Sequence, residues 1–262
     1  MSIDFDIVGA GIDSPGLPDW PSLIEAFAGT ELDDRRAASS TLLSPRERRR
    51  APATVNLSFA AAEQACAMAG IAPGEPVAVF SSGMGDLDIT DYMCRLLAEE
   101  PALLSPTRFH NSVHNAASGY WSIGANATGD VTAISGWRDS ASAGLLEALA
   151  RLGSDGGPVL LVVYDDKAVG PMRDLWPSEH PFSAALVLVP AGHANPLARL
   201  SAETTLLGAG DASLPPALEA RRHDNPAARI LPLLGLICGH IKESAALTVE
   251  QGTGLIVRNR PA

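Results

Sequence analysis

Aromatic residues make up only 5% of this sequence, and there are three cysteines in 262 residues. Few aromatics beside abundant Ala and Gly predict a core built by close approach of backbones rather than by large rings. The cysteines, Cys66, Cys94 and Cys238, form no CxxC pair and no even-numbered framework, which argues against a disulfide scaffold and predicts reduced, mostly buried thiols. No apolar run is long enough to span a bilayer, so no membrane insertion is expected. The opening Met1-Ser2-Ile3-Asp4-Phe5-Asp6 lacks the basic-then-apolar pattern of a secretory signal, and a cytoplasmic protein is expected. Positive charge is scarce. The net charge of −11 excludes a general nucleic-acid binder, whose phosphates call for a basic surface. The exception is local: Arg46, Arg48, Arg49 and Arg50 cluster within five positions.

What is present is an apolar fraction of 46%, ample for a substantial core. Apolar strand patterns alternate with Ala-rich helical patterns. Residues 5–11 read as a buried strand ending in a glycine turn, and 77–81, 130–135, 158–164, 182–189 and 197–207 as further strands. Asp19 and Pro21 predict a helix start, and Gly70 the end of a long helix from about Thr54. Further helices are expected over 88–98, from about Asn111, and over Ser140–Leu152. Beyond Gly208 the pattern weakens to an apolar helix near 227–241 and a strand at about 246–258. The alternation implies an α/β layered fold with a mixed sheet and flanking helices.

Three motifs invite chemistry and are incomplete. Gly9-Ala10-Gly11 follows a strand, but Ser14 stands where a dinucleotide-binding fold needs its third glycine. Ser82-Gly83-Met84-Gly85 lacks the Lys-Ser/Thr of a phosphate-binding P-loop. Both are expected to be structural turns. His110 and His114 are four apart without the intervening Glu of a metallopeptidase or a nearby third ligand, so no metal site and no cofactor is expected.

Three segments in order carry a resemblance. They are Ile7 to Gly16; Ala60 to Gly85; and Phe109-His110-Asn111-Ser112-Val113-His114-Asn115-Ala116-Ala117-Ser118-Gly119-Tyr120-Trp121, followed by Gly129 to Ser135 and a small-residue helix. Together they resemble the N-terminal half of β-ketoacyl synthases of the thiolase fold. The resemblance implies a thiolase-like layered fold, with residues 1–207 as one N-terminal half-domain and 208–262 as a truncated C-terminal segment packing on it. It also implies a strand-to-helix elbow whose residue at the helix head is the cysteine that carries the acyl chain. A helix N-terminus favours a thiolate through its unpaired N–H groups and dipole.

Aligned on Ala133-Ile134-Ser135, the position of that cysteine holds Arg138, flanked by Trp137 and Asp139. A guanidinium cannot serve as acyl nucleophile, and Asp139 is the nearest candidate to neutralise it. No catalytic residue is therefore assigned. A synthase homologue without its nucleophile resembles a chain-length factor, here the reduced-size type linked to aryl polyene pigments. That implies a non-catalytic subunit paired with an active ketosynthase and served by an acyl carrier protein. Strand 130–135 would be the edge that meets the partner. Phe109, Val113, Ala116, Ala117 and Trp137 would line the acyl tunnel or interface, and the Arg46–Arg50 cluster would contact the carrier protein. The competing expectation is a homodimeric scaffold that binds an acyl chain or carrier protein without a synthase partner.

Overall fold

The computed structural model describes all residues except 1, 38, 177, 207–212, 251–252 and 262. Eight strands form one mixed sheet. They are β1 (Ser2–Asp13), β2 (Val77–Ser81), β3 (Val131–Ile134), β4 (Val159–Asp165), β5 (Phe182–Pro190), β6 (Ala198–Leu206), β7 (Ser244–Glu250) and β8 (Thr253–Asn259). The order across the sheet is β3-β2-β4-β5-β1-β6-β8-β7. β2 runs parallel to both β3 and β4, and the other neighbours are antiparallel. β3 is therefore an edge strand, as the family resemblance implied.

Helices cover both faces, which explains why β4 and β5 are apolar almost without interruption. In β4, Val159, Leu161 and Val163 enter one core cluster, and Leu160, Val162 and Tyr164 the other. The helix Ala53–Ala69 lies on the second face and the helix Ser140–Asp155 on the first. The expected caps form. Asp19 accepts from the backbone N–H of Ser22 at 2.9 Å, and Gly70 closes its helix at φ 69°.

Four expectations are corrected. Gly9 and Gly11 do not make a turn. They sit inside β1, which continues to Asp13, and their missing side chains seat the helix Ala53–Ala69. A Cβ at Gly9 would lie 2.1 Å from the carbonyl oxygen of Ala65, and one at Gly11 2.1 Å from that of Ala61. The helix expected from about Asn111 starts at Ala116 and runs to Gly124, preceded by a separate short turn of helix, Pro106–His110. The strand expected over 246–258 is two antiparallel strands, β7 and β8, which join the sheet through β6. The apolar segment near 227–241 is a short 3-10 turn, Ala227–Ile230, followed by the buried helix Leu231–Ile237. Among the described residues no helix is long and apolar enough to cross a membrane.

Candidate functional site

The three parallel strands end side by side, and the elbow lies there. β3 stops at Ile134, Trp137–Asp139 form a single 3-10 turn, and the helix Ser140–Asp155 begins at once. Trp137 holds the left-handed conformation, φ 55°, which is costly for a bulky residue and persists only where surroundings fix it. Those surroundings are visible. Ser140 Oγ donates to the Trp137 carbonyl at 2.8 Å and accepts from the Gly136 N–H at 2.9 Å. Ser81 Oγ donates to the Ser140 carbonyl at 2.6 Å, which ties the helix head to the end of β2. Gly144 lets the helix press on β2, since a Cβ there would lie 2.7 Å from that of Ser81.

The turn Ser82–Gly85 is structural, and its N–H groups are already taken. Asp165, buried at the end of β4, accepts from Ser82 Oγ at 2.7 Å, from the Gly83 N–H at 2.9 Å and from the Met84 N–H at 3.3 Å. Burial pushes the Asp165 carboxyl up to about 7, against the pull of those donors. Buried Asn225 donates to the Asp165 carbonyl at 2.9 Å, to the His180 carbonyl at 2.9 Å and to Ser178 Oγ at 3.1 Å. Thus one carboxylate and one amide fasten the loop after β2, the end of β4 and the C-terminal segment beneath the elbow. Sequence reasoning missed Asp165 and Asn225. The signal was an acidic residue directly after six apolar ones, Val159 to Tyr164.

Arg138 does not pair with Asp139, which corrects the expectation. Its guanidinium lies exposed, 5.1 Å over the Trp176 ring, and Nη2 donates to the Leu175 carbonyl at 3.3 Å. Trp176 in turn meets Trp137 edge-on, with centroids 4.5 Å apart. Asp139 forms an ion pair with Arg229 at 3.0 Å. Beside that pair is a cavity of about 140 Å³, lined by Asp139, Ser142, Arg222, Arg229 and, across it, Leu247 and Thr248 of β7. Ser142 Oγ donates to the Thr248 carbonyl, so the C-terminal hairpin lies against the first turn of the inner helix.

No cysteine lies on the elbow. Cys66 is buried in the helix on the opposite face, where burial pushes its thiol up to about 12. Cys94 is exposed, and half-buried Cys238 is also raised, chiefly by burial. Neither Cys66 nor Cys238 has the environment of a reactive thiolate. His114 lies in the turn between two helices, its Nε2 3.0 Å from the Ser82 carbonyl oxygen, while His110 ends the helix before that turn. Among the described residues no group of three His, Cys, Asp or Glu could hold a metal ion.

The remaining expected residues are dispersed. Phe109 and Val113 are exposed at 62% and 52%, Ala116 is half-buried, and Ala117 packs in the core with Trp121. Of the basic cluster, Arg46, Arg49 and Arg50 are exposed. Half-buried Arg48 is held by the Ser40 carbonyl at 2.8 Å.

A family model described as the N-terminal domain of β-ketoacyl synthase matches residues 25–228. No curated protein sequence matches the chain. Among solved structures, a ketosynthase (ApeO) in complex with its chain length factor (ApeC) from Xenorhabdus doucetiae superposes with TM-score 0.76 at 20% identity. That match covers 98% of this chain and 100% of the other. The ishigamide ketosynthase/chain length factor matches with TM-score 0.63 at 16% identity, over 78% of this chain and 67% of that one. The type II AntDE:AntF complex, an acyl-carrier protein with its ketosynthase, matches with TM-score 0.62 at 16% identity, over 79% and 70%. At such identities the likeness establishes a shared thiolase-like ketosynthase fold.

Proposed function

Because the chain belongs to the β-ketoacyl synthase N-terminal domain family, we propose that it acts as the non-catalytic, chain-length-factor-like subunit of a type II ketosynthase pair, in polyketide assembly of the aryl polyene kind. The observation that carries this reading is an elbow built and braced without a nucleophile. Residues 135–140 contain no cysteine, and the left-handed turn is occupied by Trp137. The polar bracing of Ser81, Ser82, Ser140 and Asp165 supports a site kept for shape rather than for acyl transfer.

In this reading, residues 1–207 are the half-domain that meets the ketosynthase and 208–262 complete its sheet and core. The exposed edge β3 lies along the partner, with its one unsatisfied row of backbone groups available for pairing. Phe109, Val113, Ala116, Ala117 and Trp137 form or support the wall against which the partner's acyl chain stops. The exposed members of the Arg46–Arg50 cluster meet an acidic acyl carrier protein.

Co-expression with each ketosynthase encoded beside this chain, followed by native mass spectrometry, tests the reading. A one-to-one heterodimer is expected, and Ala116→Phe should shorten its products, because overfilling a tunnel costs about 1–3 kcal/mol per misfit. A stable homodimer of the chain alone that ignores every ketosynthase would instead support the scaffold role. Turnover of an acyl-carrier thioester by the chain alone would overturn the non-catalytic assignment.

A further inference from the structure

A second cavity, of about 380 Å³, opens near the start of the helix Ala53–Ala69, between the Asp86–Ile89 turn, the Arg108–Asn111 segment and the loop after β4. Four cations line it from three separate stretches of chain: Arg49 and Arg50, Arg108, and Lys167. Several arginines elsewhere have acidic partners. Arg36 pairs with Asp13, Arg151 with Glu147 and Asp130, Arg229 with Asp139, and Arg260 with Asp4. The side chains of Arg49, Arg50 and Lys167 have no ion pair or hydrogen bond among the described residues. Arg108 only stacks on the Tyr92 ring, 4.2 Å from its centroid. Cations that form no ion pair at one mouth leave positive charge available to an anion.

The mouth is also held in place. Buried Asn111 donates to the Arg50 carbonyl at 3.2 Å and accepts from Tyr120 Oη at 3.1 Å, which fixes the backbone that presents Arg49 and Arg50. Three carboxylates line the same cavity. Asp86 is engaged on both oxygens, by the Ile89 N–H at 2.9 Å and Thr54 Oγ1 at 3.2 Å. Asp166 accepts from the Lys167 N–H at 2.7 Å, and burial raises its carboxyl above the ordinary value. Asp88 is exposed at the start of its helix.

We propose that this cavity binds a phosphate-bearing small molecule, with the phosphate held between the Arg49–Arg50 pair and the Arg108 and Lys167 side chains. Donors supplied by three stretches of chain suit a tetrahedral group with several acceptor oxygens. A planar carboxylate would be satisfied by a single guanidinium fork. The site shares Arg49 and Arg50 with the proposed carrier-protein contact, and its binding of a free phosphate does not require pairing with a ketosynthase.

Isothermal titration calorimetry at fixed ionic strength, with pyrophosphate and phenyl phosphate as probes and acetate as the carboxylate control, tests the assignment. Saturable binding of both phosphates is expected. Arg50→Ala and Lys167→Ala should each weaken it by about tenfold, and Arg46→Ala, outside the cavity, should leave it unchanged. Arg50→Lys keeps the charge but loses the fork, so it should recover only part of the affinity. Absence of saturable binding, acetate binding as tightly as phosphate, or equal losses in the Arg46 and Arg50 variants would each overturn the site.

Discussion

The two faces of the sheet hold their helices by different means. On one, the helix Ala53–Ala69 approaches β1 so closely that its own carbonyl oxygens fill the places of two side chains, at Gly9 and Gly11. On the other, the helix Ser140–Asp155 also presses in, through Gly144, but its head is pinned by hydroxyl-to-backbone bonds from Ser81 and Ser140. The first contact is set by close backbone approach, with Gln64 alone linking the helix to the Ile12 backbone among the described hydrogen bonds to β1, so it tolerates almost no change. The second mixes shape with polar pins, and those can be altered singly. A fold that loses its nucleophile can therefore keep its elbow, because the residues that brace the turn are not the one that would react.

Breaking the close backbone contact should have the largest effect. Gly11→Ala puts a methyl 2.1 Å from the Ala61 carbonyl oxygen, so helix or strand must shift. We expect a loss of about 3–5 kcal/mol in urea unfolding, at the severe end for overpacking. Gly153→Ala sharpens the comparison. It lies in the inner helix with nothing within 4 Å of the added methyl, and should stabilise by about 0.5–1 kcal/mol through helix propensity.

The strands most legible in the sequence were those buried on both faces. β4 and β5 are apolar through and through, and their observed limits fall within a residue or so of the expected ones. Caps at Asp19 and Gly70 were legible because their chemistry is local. The glycines of β1 were misread, since a glycine pair after apolar residues marks a turn and a close helix contact alike, and only the distant Ala61 and Ala65 decide between them. β7 and β8 were read as one strand because just two residues, Gln251-Gly252, separate two apolar runs. At the elbow, strand, turn and helix were legible, but the destinations of side chains were not. Successive residues of a 3-10 turn point about 120° apart, so Arg138 and Asp139, neighbours in sequence, reach Trp176 and Arg229 instead of each other.

On the pinned face, Asp165 offers the next largest effect. Burial raises its folded-state value to about 7, above the ordinary carboxylate value of 3.8. Between those values the unfolded chain has lost the proton and the folded chain keeps it. The Asp165 contribution to stability therefore falls as pH rises from about 4 to about 7, at no more than about 1.4 kcal/mol per pH unit, and is level above. Asp165→Asn should lower stability overall, because a carboxamide cannot serve all the donors from Ser82, Gly83 and Met84. It should also remove that slope. Urea midpoints at intervals between pH 4 and 8 check both outcomes, and an unchanged slope in the variant would assign the pH dependence to other groups.

The smallest effect is expected at Arg138, although its position in the sequence first suggested the loss of activity. Its guanidinium is exposed and, among the described residues, is held by the Trp176 ring and the Leu175 carbonyl. An exposed cation–π contact is worth about 0.5–1 kcal/mol, so Arg138→Ala should shift thermal unfolding by a few degrees at most. Arg138→Cys separates position from environment. The new thiol would sit at the head of the inner helix, whose dipole favours a thiolate, but beside the Asp139 carboxylate, which opposes it, and open to water. With those influences opposed, the thiol should react with iodoacetamide at the rate of an ordinary surface cysteine and take no acyl group from an acyl-carrier thioester, as read by intact-protein mass spectrometry. Rapid acylation would mean that the elbow still stabilises a thiolate, and that this single substitution is what separates the chain from an active synthase.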